Sequence, residues 1–370
     1  MNSFSFNQRM PWLIALLSCV LGLTIWIVCG AESKQPARKK IMITGGAGFI
    51  GSHLAQALIA RGDGVVIVDN FCPMYDPAWK HRNVALIQAD DPEKLCTIYE
   101  SDILDMEKMS TIMARERPDV ICHLAGYADL RASIEKPEEH LAINTQGTLN
   151  ILQLTRKFGI ENLIFASSSS VYGNNTNVPF KEPDDTDRPT SPYAASKKAG
   201  ELLAYTYHHL FGLRCACLRF FTVYGPRGTP NMAAFKFMDA VHNEKSLVRY
   251  DQENSLQRDF TYVGDIVDGI VASIDGLMQR TIGYQVINLG SGSTVSLDEF
   301  VNVIEQVVGK GATFVRLPAP RTEMAVTYAD ISKAQALLGY QPKTSLFDGI
   351  KAMYEWYVDE YCKQLVVSRE

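Results

Sequence analysis

No CxxC pair occurs in this sequence, although it holds eight cysteines in 370 residues. Cys19, Cys29, Cys72, Cys96, Cys122, Cys215, Cys217 and Cys362 are scattered, and the first two fall in an apolar leader. That spacing speaks against a cysteine-held zinc site and a disulfide framework, and it predicts reduced, mostly buried thiols. The adjacent His208 and His209 read as an exposed helix pair, so no metal is expected. A basic excess is also missing. Thirty-six Lys and Arg against 41 Asp and Glu leave a net charge of -5, which argues against a nucleic-acid partner. Internal repeats and low-complexity tracts are absent. A chain of this length suits one large α/β unit with a smaller second lobe.

Charge is locally absent from Pro11 to Gly30, PWLIALLSCVLGLTIWIVCG. As a helix this run would be about 30 Å long, enough to cross the hydrocarbon core of a bilayer. A cleaved signal peptide is the competing reading, because Cys29-Gly30-Ala31 offers a small-residue cleavage site. The run is longer than a typical signal core, however, and only Arg9 precedes it. Lys34, Arg38, Lys39 and Lys40 come after it, and positive charge marks the cytoplasmic side. The expectation is a single-pass membrane protein. Residues 1–40 would hold one transmembrane helix at about 11–30 and a polar linker, with the rest of the chain in the cytoplasm.

Beyond the linker the chain is dense in signals. Ile41-Met42-Ile43-Thr44 is a short β-rich run, and Gly45-Gly46-Ala47-Gly48-Phe49-Ile50-Gly51 comes directly after it. A helical pattern then carries Leu54, Ala57, Leu58 and Arg61 to Gly62, and a second apolar run, Val65 to Val68, ends in Asp69-Asn70. Strand, glycine turn, helix and strand in that order predict a dinucleotide-binding unit. Gly45 allows the tight turn, Gly48 lets backbone approach a pyrophosphate, and Gly51 lets the helix pack close to the sheet. Asp69 at the second strand's tip would bond ribose hydroxyls and repel a 2′-phosphate, favouring NAD over NADP. Further strands are expected at 119–126, 160–166 and 213–221, with helices around 138–158 and 193–211. That alternation predicts a Rossmann-type, doubly wound parallel sheet with its ligands at the strands' carboxyl ends.

The strand at 160–166 runs into Ser167-Ser168-Ser169-Ser170-Val171-Tyr172-Gly173, and Ser191-Pro192-Tyr193-Ala194-Ala195-Ser196-Lys197 lies further on. Pro192 suits the start of a helix, which puts Tyr193 and Lys197 one turn apart on one face. A phenol is a poor base at neutral pH, but a nearby ammonium favours the phenolate. A serine hydroxyl beside it can steady a substrate oxygen. Ser168, Tyr193 and Lys197 together can take a proton from an alcohol while a hydride leaves the same carbon. Each pattern alone is common helix or loop chemistry; joined to a dinucleotide fold, the three become candidate catalytic residues.

From residue 41 to about 358 the chain resembles the extended short-chain dehydrogenases/reductases. The matching stretches are TGGAGFIGSHL (44–54), VDN (68–70), SDILD (101–105), HLAG (123–126), SSSSVYG (167–173), SPYAASK (191–197), RDFTYV (258–263) and ADISKAQALLGYQP (329–342). Within that superfamily, residues 69–83 and 219–235 look most like UDP-glucuronate 4-epimerases. The resemblance implies that Gly45, Gly48, Phe49, Ile50, Gly51, Asp69, Asn70, Leu124, Ala125 and Lys197 hold NAD, with Asp102 and Ile103 near the adenine. It implies Ser168 and Tyr193 at the sugar, Thr222 against the C5 substituent, and Arg258 and Arg321 on phosphate or ribose. The family commonly has Trp and Arg around the segment where this chain has Arg227, Thr229 and Asn231. Arg227 or Lys236 would then have to meet a sugar carboxylate. The resemblance further implies a homodimer. It divides the chain into an NAD-binding domain, 41–225 with 258–292, a nucleotide-sugar lobe, 226–257 with 293–358, and a tail, 359–370.

The serine run also bears on the reaction. Related 4,6-dehydratases carry Asp-Glu after the hydroxyl residue, and UDP-glucuronate decarboxylases carry Glu before Val-Tyr-Gly; here Ser169 and Ser170 stand there. Elimination needs a further acid/base carboxyl group, whereas epimerisation needs only the Ser/Tyr/Lys set and a cofactor that is reduced and reoxidised in place. A UDP-sugar 4-epimerase is therefore expected, with UDP-glucuronate as its substrate. UDP-glucose or UDP-N-acetylglucosamine as substrate, decarboxylation, and a catalytically idle NAD-binding scaffold at a membrane are the alternatives.

Overall fold

The computed structural model describes residues 38–251, 256–318 and 326–362. The expected transmembrane helix and Arg321 lie outside the described residues. Among the described residues, no helix is long and apolar enough to cross a membrane.

The strands run in chain order as β1 (Lys40–Thr44), β2 (Gly64–Asp69), β3 (Cys96–Glu100), β4 (Val120–His123), β5 (Asn162–Ser168), β6 (Arg214–Phe220) and β7 (Thr222–Tyr224). After these come β8 (Ser246–Asp251), β9 (Gln257–Arg258), β10 (Phe260–Tyr262), β11 (Tyr284–Leu289), β12 (Val295–Ser296), β13 (Thr313–Pro318) and β14 (Val326–Thr327). Seven of them form a parallel sheet in the order β11-β6-β5-β4-β1-β2-β3. Side chains alternate across it. Ile41, Ile43, Val65 and Ile67 face a core with Leu54, Leu58 and Ile270. Met42, Val66 and Val68 face the opposite core with Met109, Met113 and Ile151. This two-sided burial explains why the strands read as unbroken apolar runs. The order reverses between β1 and β4, which opens a crevice at their carboxyl ends.

A further core forms where helices Ala233–His242, Leu297–Val308 and Leu346–Trp356 meet, with Phe235, Met238, Phe300, Ile304, Ile350 and Met353 buried in it. Phe260 stacks on Phe300 with ring centroids 3.9 Å apart and ties β10 into that core.

The helix expected around 138–158 is interrupted. Pro137–Leu141 passes through a π turn, Ala142–Gln146, before Gly147–Phe158 resumes as α-helix. Close packing decides the position of Gly147: a Cβ there would stand 2.4 Å from the Ile103 side chain. The helix carrying Tyr193 is continuous from Pro192 to Phe211. Ser191 caps it by accepting from Ala194 N at 3.1 Å, Pro192 fills the first turn, and Gly212 ends it at φ +71°.

Candidate active site

The crevice begins at the turn after β1. Gly45 adopts φ +71°, where a Cβ would meet Ala125 N at 2.8 Å. Gly51 packs so tightly that a Cβ would lie 2.3 Å from the Gly45 carbonyl oxygen. The helix Phe49–Ala60 has no side-chain cap at Gly48 and no acidic residue in its first turn. Its leading N–H groups and positive dipole end are thus left for an anion. These features fit the pyrophosphate of a dinucleotide. Gly51→Ala should therefore lower NAD affinity by roughly two orders of magnitude, the effect of about 3 kcal/mol. The NAD content of the purified protein measures it, and a full complement in the variant would contradict the packing argument.

Asp69 ends β2 at the same crevice. Its carboxylate accepts from Ala47 N at 3.2 Å, from Phe71 N at 2.9 Å and from Lys80 Nζ at 3.0 Å, and both members of the ion pair are buried. Asn70 donates to Asp102 at 2.8 Å, and Ile103 stands next to it in the same wall. Gly45, Gly48, Phe49, Ile50, Gly51, Asp69, Asn70, Asp102, Ile103, Leu124, Ala125, Tyr193 and Lys197 all line this one cleft.

The chemistry sits where β5 meets the helix Pro192–Phe211. Tyr193 and Lys197 are buried one turn apart, and Lys197 Nζ donates to the Ala166 carbonyl at 2.9 Å. The ammonium lies 6.0 Å from the centre of the Tyr193 ring. Burial brings the lysine down to about 8, and it raises the phenol, against the pull of the hydrogen bond with Ser168. Ser168 closes β5, nearly buried, with its hydroxyl also bonded to Ser170 Oγ at 3.1 Å. The set is a hydroxyl, a phenol and a cation converging on one end of a dinucleotide cleft. It can move a proton on and off an alcohol oxygen.

Three expected substrate contacts are not among the described residues that line this cleft. Thr222 begins β7, where its N–H donates to the Asp259 carbonyl at 3.0 Å, and it does not line the cleft. Arg258 lies in β9 with Nη1 on the Gln257 carbonyl at 2.9 Å, also outside the lining. Arg227 is turned from the cleft into the first helix, where Nη2 donates to His53 Nδ1 at 2.9 Å and bonds Gln56. Its backbone is left-handed there, at φ +63°. Arg321 is outside the described residues.

Several lining residues lie beyond the expected binding set, although all but Tyr127 fall within the epimerase-like stretches 69–83 and 219–235: Cys72, Met74, Tyr75, Lys80, Tyr127, Thr229, Asn231 and Met232. Asn144, within the π turn, receives the Tyr127 N–H at 2.8 Å and donates to the Tyr127 carbonyl and to Ser196 Oγ, both at 3.0 Å. It fixes the loop beyond β4 against the Tyr193 helix.

A glycine-turned phosphate site, an acidic strand tip and a Ser/Tyr/Lys set on one parallel sheet define a dinucleotide-dependent short-chain dehydrogenase/reductase. Residues 42–353 match the family model described as GDP-mannose 4,6 dehydratase. The chain is 38% identical over 316 residues to the UDP-glucuronate 4-epimerase of Thermodesulfobacterium geofontis, covering 85% of this chain and 95% of that one. It is 39% identical over 334 residues to UDP-glucuronate 4-epimerase 4 of Arabidopsis thaliana, covering 87% and 76%. The structure of the UDP-glucuronic acid 4-epimerase of Bacillus cereus, in complex with UDP-glucuronic acid and NAD, superposes with a TM-score of 0.78 at 35% identity. The match covers 88% of this chain and 99% of that one. The chain belongs to this family of extended short-chain dehydrogenases/reductases.

Proposed function

We propose that this protein interconverts UDP-glucuronate and UDP-galacturonate by inverting C4 of the sugar. It is an NAD-dependent nucleotide-sugar 4-epimerase. The observation that carries the reading is that Tyr193 and Lys197 line the cofactor cleft, with Ser168 hydrogen-bonded to Tyr193, and that no carboxyl group free for acid/base work is among the described lining residues. Among the described lining residues the carboxylates are Asp69 and Asp102. Asp69 is held by Lys80, and Asp102 accepts from Asn70. The further acid/base carboxyl group that elimination needs is not found among those lining residues.

In the proposed cycle Tyr193, as phenolate, accepts the proton of the 4-hydroxyl, while Ser168 holds that oxygen. Bound NAD supplies the site that accepts a hydride from C4 and later returns it. The 4-keto sugar turns about its diphosphate linkage and presents its other face, and Tyr193 then gives the proton back. No external oxidant is consumed.

Similarity to the relatives supports UDP-glucuronate. One observation favours a second reading, UDP-glucose or UDP-N-acetylglucosamine: Arg227 is committed to His53 and Gln56 and does not line the cleft. The test is to incubate the purified protein with UDP-glucuronate, without added NAD, and follow products by proton NMR. UDP-galacturonate is expected. Carbon dioxide with a UDP-pentose would overturn the reaction, and inversion of UDP-glucose alone would move the substrate.

The proposal includes a homodimer and a membrane anchor. Exposed Leu202, Tyr205 and Leu210 on the Tyr193 helix support an apolar face covered by a second copy. The uncharged run Pro11–Gly30 supports single-pass anchoring, with the catalytic part in the cytoplasm.

A further inference from the structure

Loop 225–232 brings Thr229, Asn231 and Met232 to the wall of the cofactor cleft. It is fastened on two sides. On one, His53 of the first helix receives Arg227 Nη2 on Nδ1 at 2.9 Å, and its Nε2 is 2.9 Å from the Pro226 carbonyl. A guanidinium can only donate, so His53 Nδ1 must accept and Nε2–H must donate to Pro226. The imidazole is therefore neutral in this arrangement. Burial, reinforced by the charge of Arg227, holds it down to about 3. Gln56, one turn further along the helix, accepts a second bond from Arg227. On the other side, Asn231 Nδ2 reaches Asp129 at 3.4 Å.

Arg227 holds this position against opposition. Its backbone is left-handed at φ +63°, it is 9% exposed, and its Nη1 is buried without a hydrogen-bond partner among the described residues. A strained backbone and an unmet buried donor persist where surrounding structure over-determines them, and such places cluster at ligand clamps.

We propose that Arg227 is a positioning residue that clamps loop 225–232 to the phosphate-facing helix and so sets how firmly the nucleotide sugar is held, whatever its C5 substituent. The clamp rests on the nucleotide-sugar reading for its substrate and on the loop geometry alone for its mechanics.

The test compares wild type with Arg227→Met, which keeps the side-chain stem and loses the donors, and with the milder Gln56→Ala, which removes one acceptor from a half-buried surface. Amide hydrogen exchange across 225–232 should quicken about tenfold in Arg227→Met and by a smaller factor in Gln56→Ala. KM should rise about tenfold for UDP-glucuronate and, by the same factor, for any neutral UDP-hexose the enzyme turns over, with kcat within about threefold and NAD content unchanged. Unchanged exchange in both variants overturns the clamp. A rise in KM confined to UDP-glucuronate also overturns it, because Arg227 would then be binding the carboxylate. If wild type turns over no UDP-sugar, the functional reading fails while the exchange data still decide the clamp. If Arg227→Met does not fold, Gln56→Ala decides alone.

Discussion

Tyr193→Phe is expected to lower kcat by about 10³-fold, close to 4 kcal/mol of transition-state stabilisation, while UDP-sugar and NAD bind within about threefold of wild type. The reason is local. The ring is buried, so its packing survives the loss of one oxygen, and the hydroxyl removed is the one bonded to Ser168. Burial opposes the phenolate, which makes its formation depend on the Lys197 ammonium one turn away. Tyr75 and Tyr127 also line the cleft, but burial raises both phenols, and the hydrogen bond with Ser168 belongs to Tyr193. His123 is the nearby candidate, yet it is sealed between Thr44 at 2.7 Å and Thr148 at 3.1 Å, and burial holds it down to about 3. Single-turnover kinetics with separately measured affinities separate the two effects. A variant within tenfold of wild-type kcat would remove Tyr193 from the proton-transfer role.

The parts legible in the sequence are those whose constraints are local. The turn Gly45 to Gly51 is dictated by the positive φ of Gly45 and by the packing of Gly51 on the Gly45 carbonyl, which leaves no room for a Cβ. Tyr193 and Lys197 share a face because a capped helix has no other way to place positions four apart. The parts that stay hidden depend on partners distant in sequence or on backbone irregularity. The fate of Arg227 is set by His53, 174 residues away, and its left-handed backbone leaves no mark on composition. Asn144 acts through a π turn that shifts the helical period inside an otherwise regular pattern. Lys80 lies within the epimerase-like stretch 69–83, but its bond to Asp69 needs the helix Ala78–Ala89 to fold back over the strand tip. Phosphate and sugar contacts inferred for Thr222 and Arg258 come from resemblance, and neither residue lines the cleft.

A second large effect is expected in stability. Arg219→Met should cost about 3–5 kcal/mol, because it leaves the Glu201 carboxylate buried without its counter-charge. Both side chains are 3% exposed, and Arg219 bonds Glu201 through Nε and Nη2, each at 2.8 Å. Ser167 donates to the same carboxylate at 2.6 Å, and the guanidinium lies 4.7 Å over the Tyr172 ring. The pair thus joins β6, the end of β5 and the Tyr193 helix immediately behind Ser168. A chain of this size should lose roughly 4–7 °C in Tm. Replacing both partners by apolar residues should recover most of that loss, since it removes the uncompensated charge together with its partner. Activity should not recover with it. Ser167 would lose its acceptor, and the helix would lose its bidentate tie to β6, so kcat in Arg219→Met/Glu201→Met should stay about tenfold low. Thermal unfolding of the single variant tests the first half, and an unchanged Tm would mean that Glu201 finds another partner. Kinetics of the double variant test the second: full activity would reduce the pair to a stabilising contact with no hold on Ser168 or Tyr193.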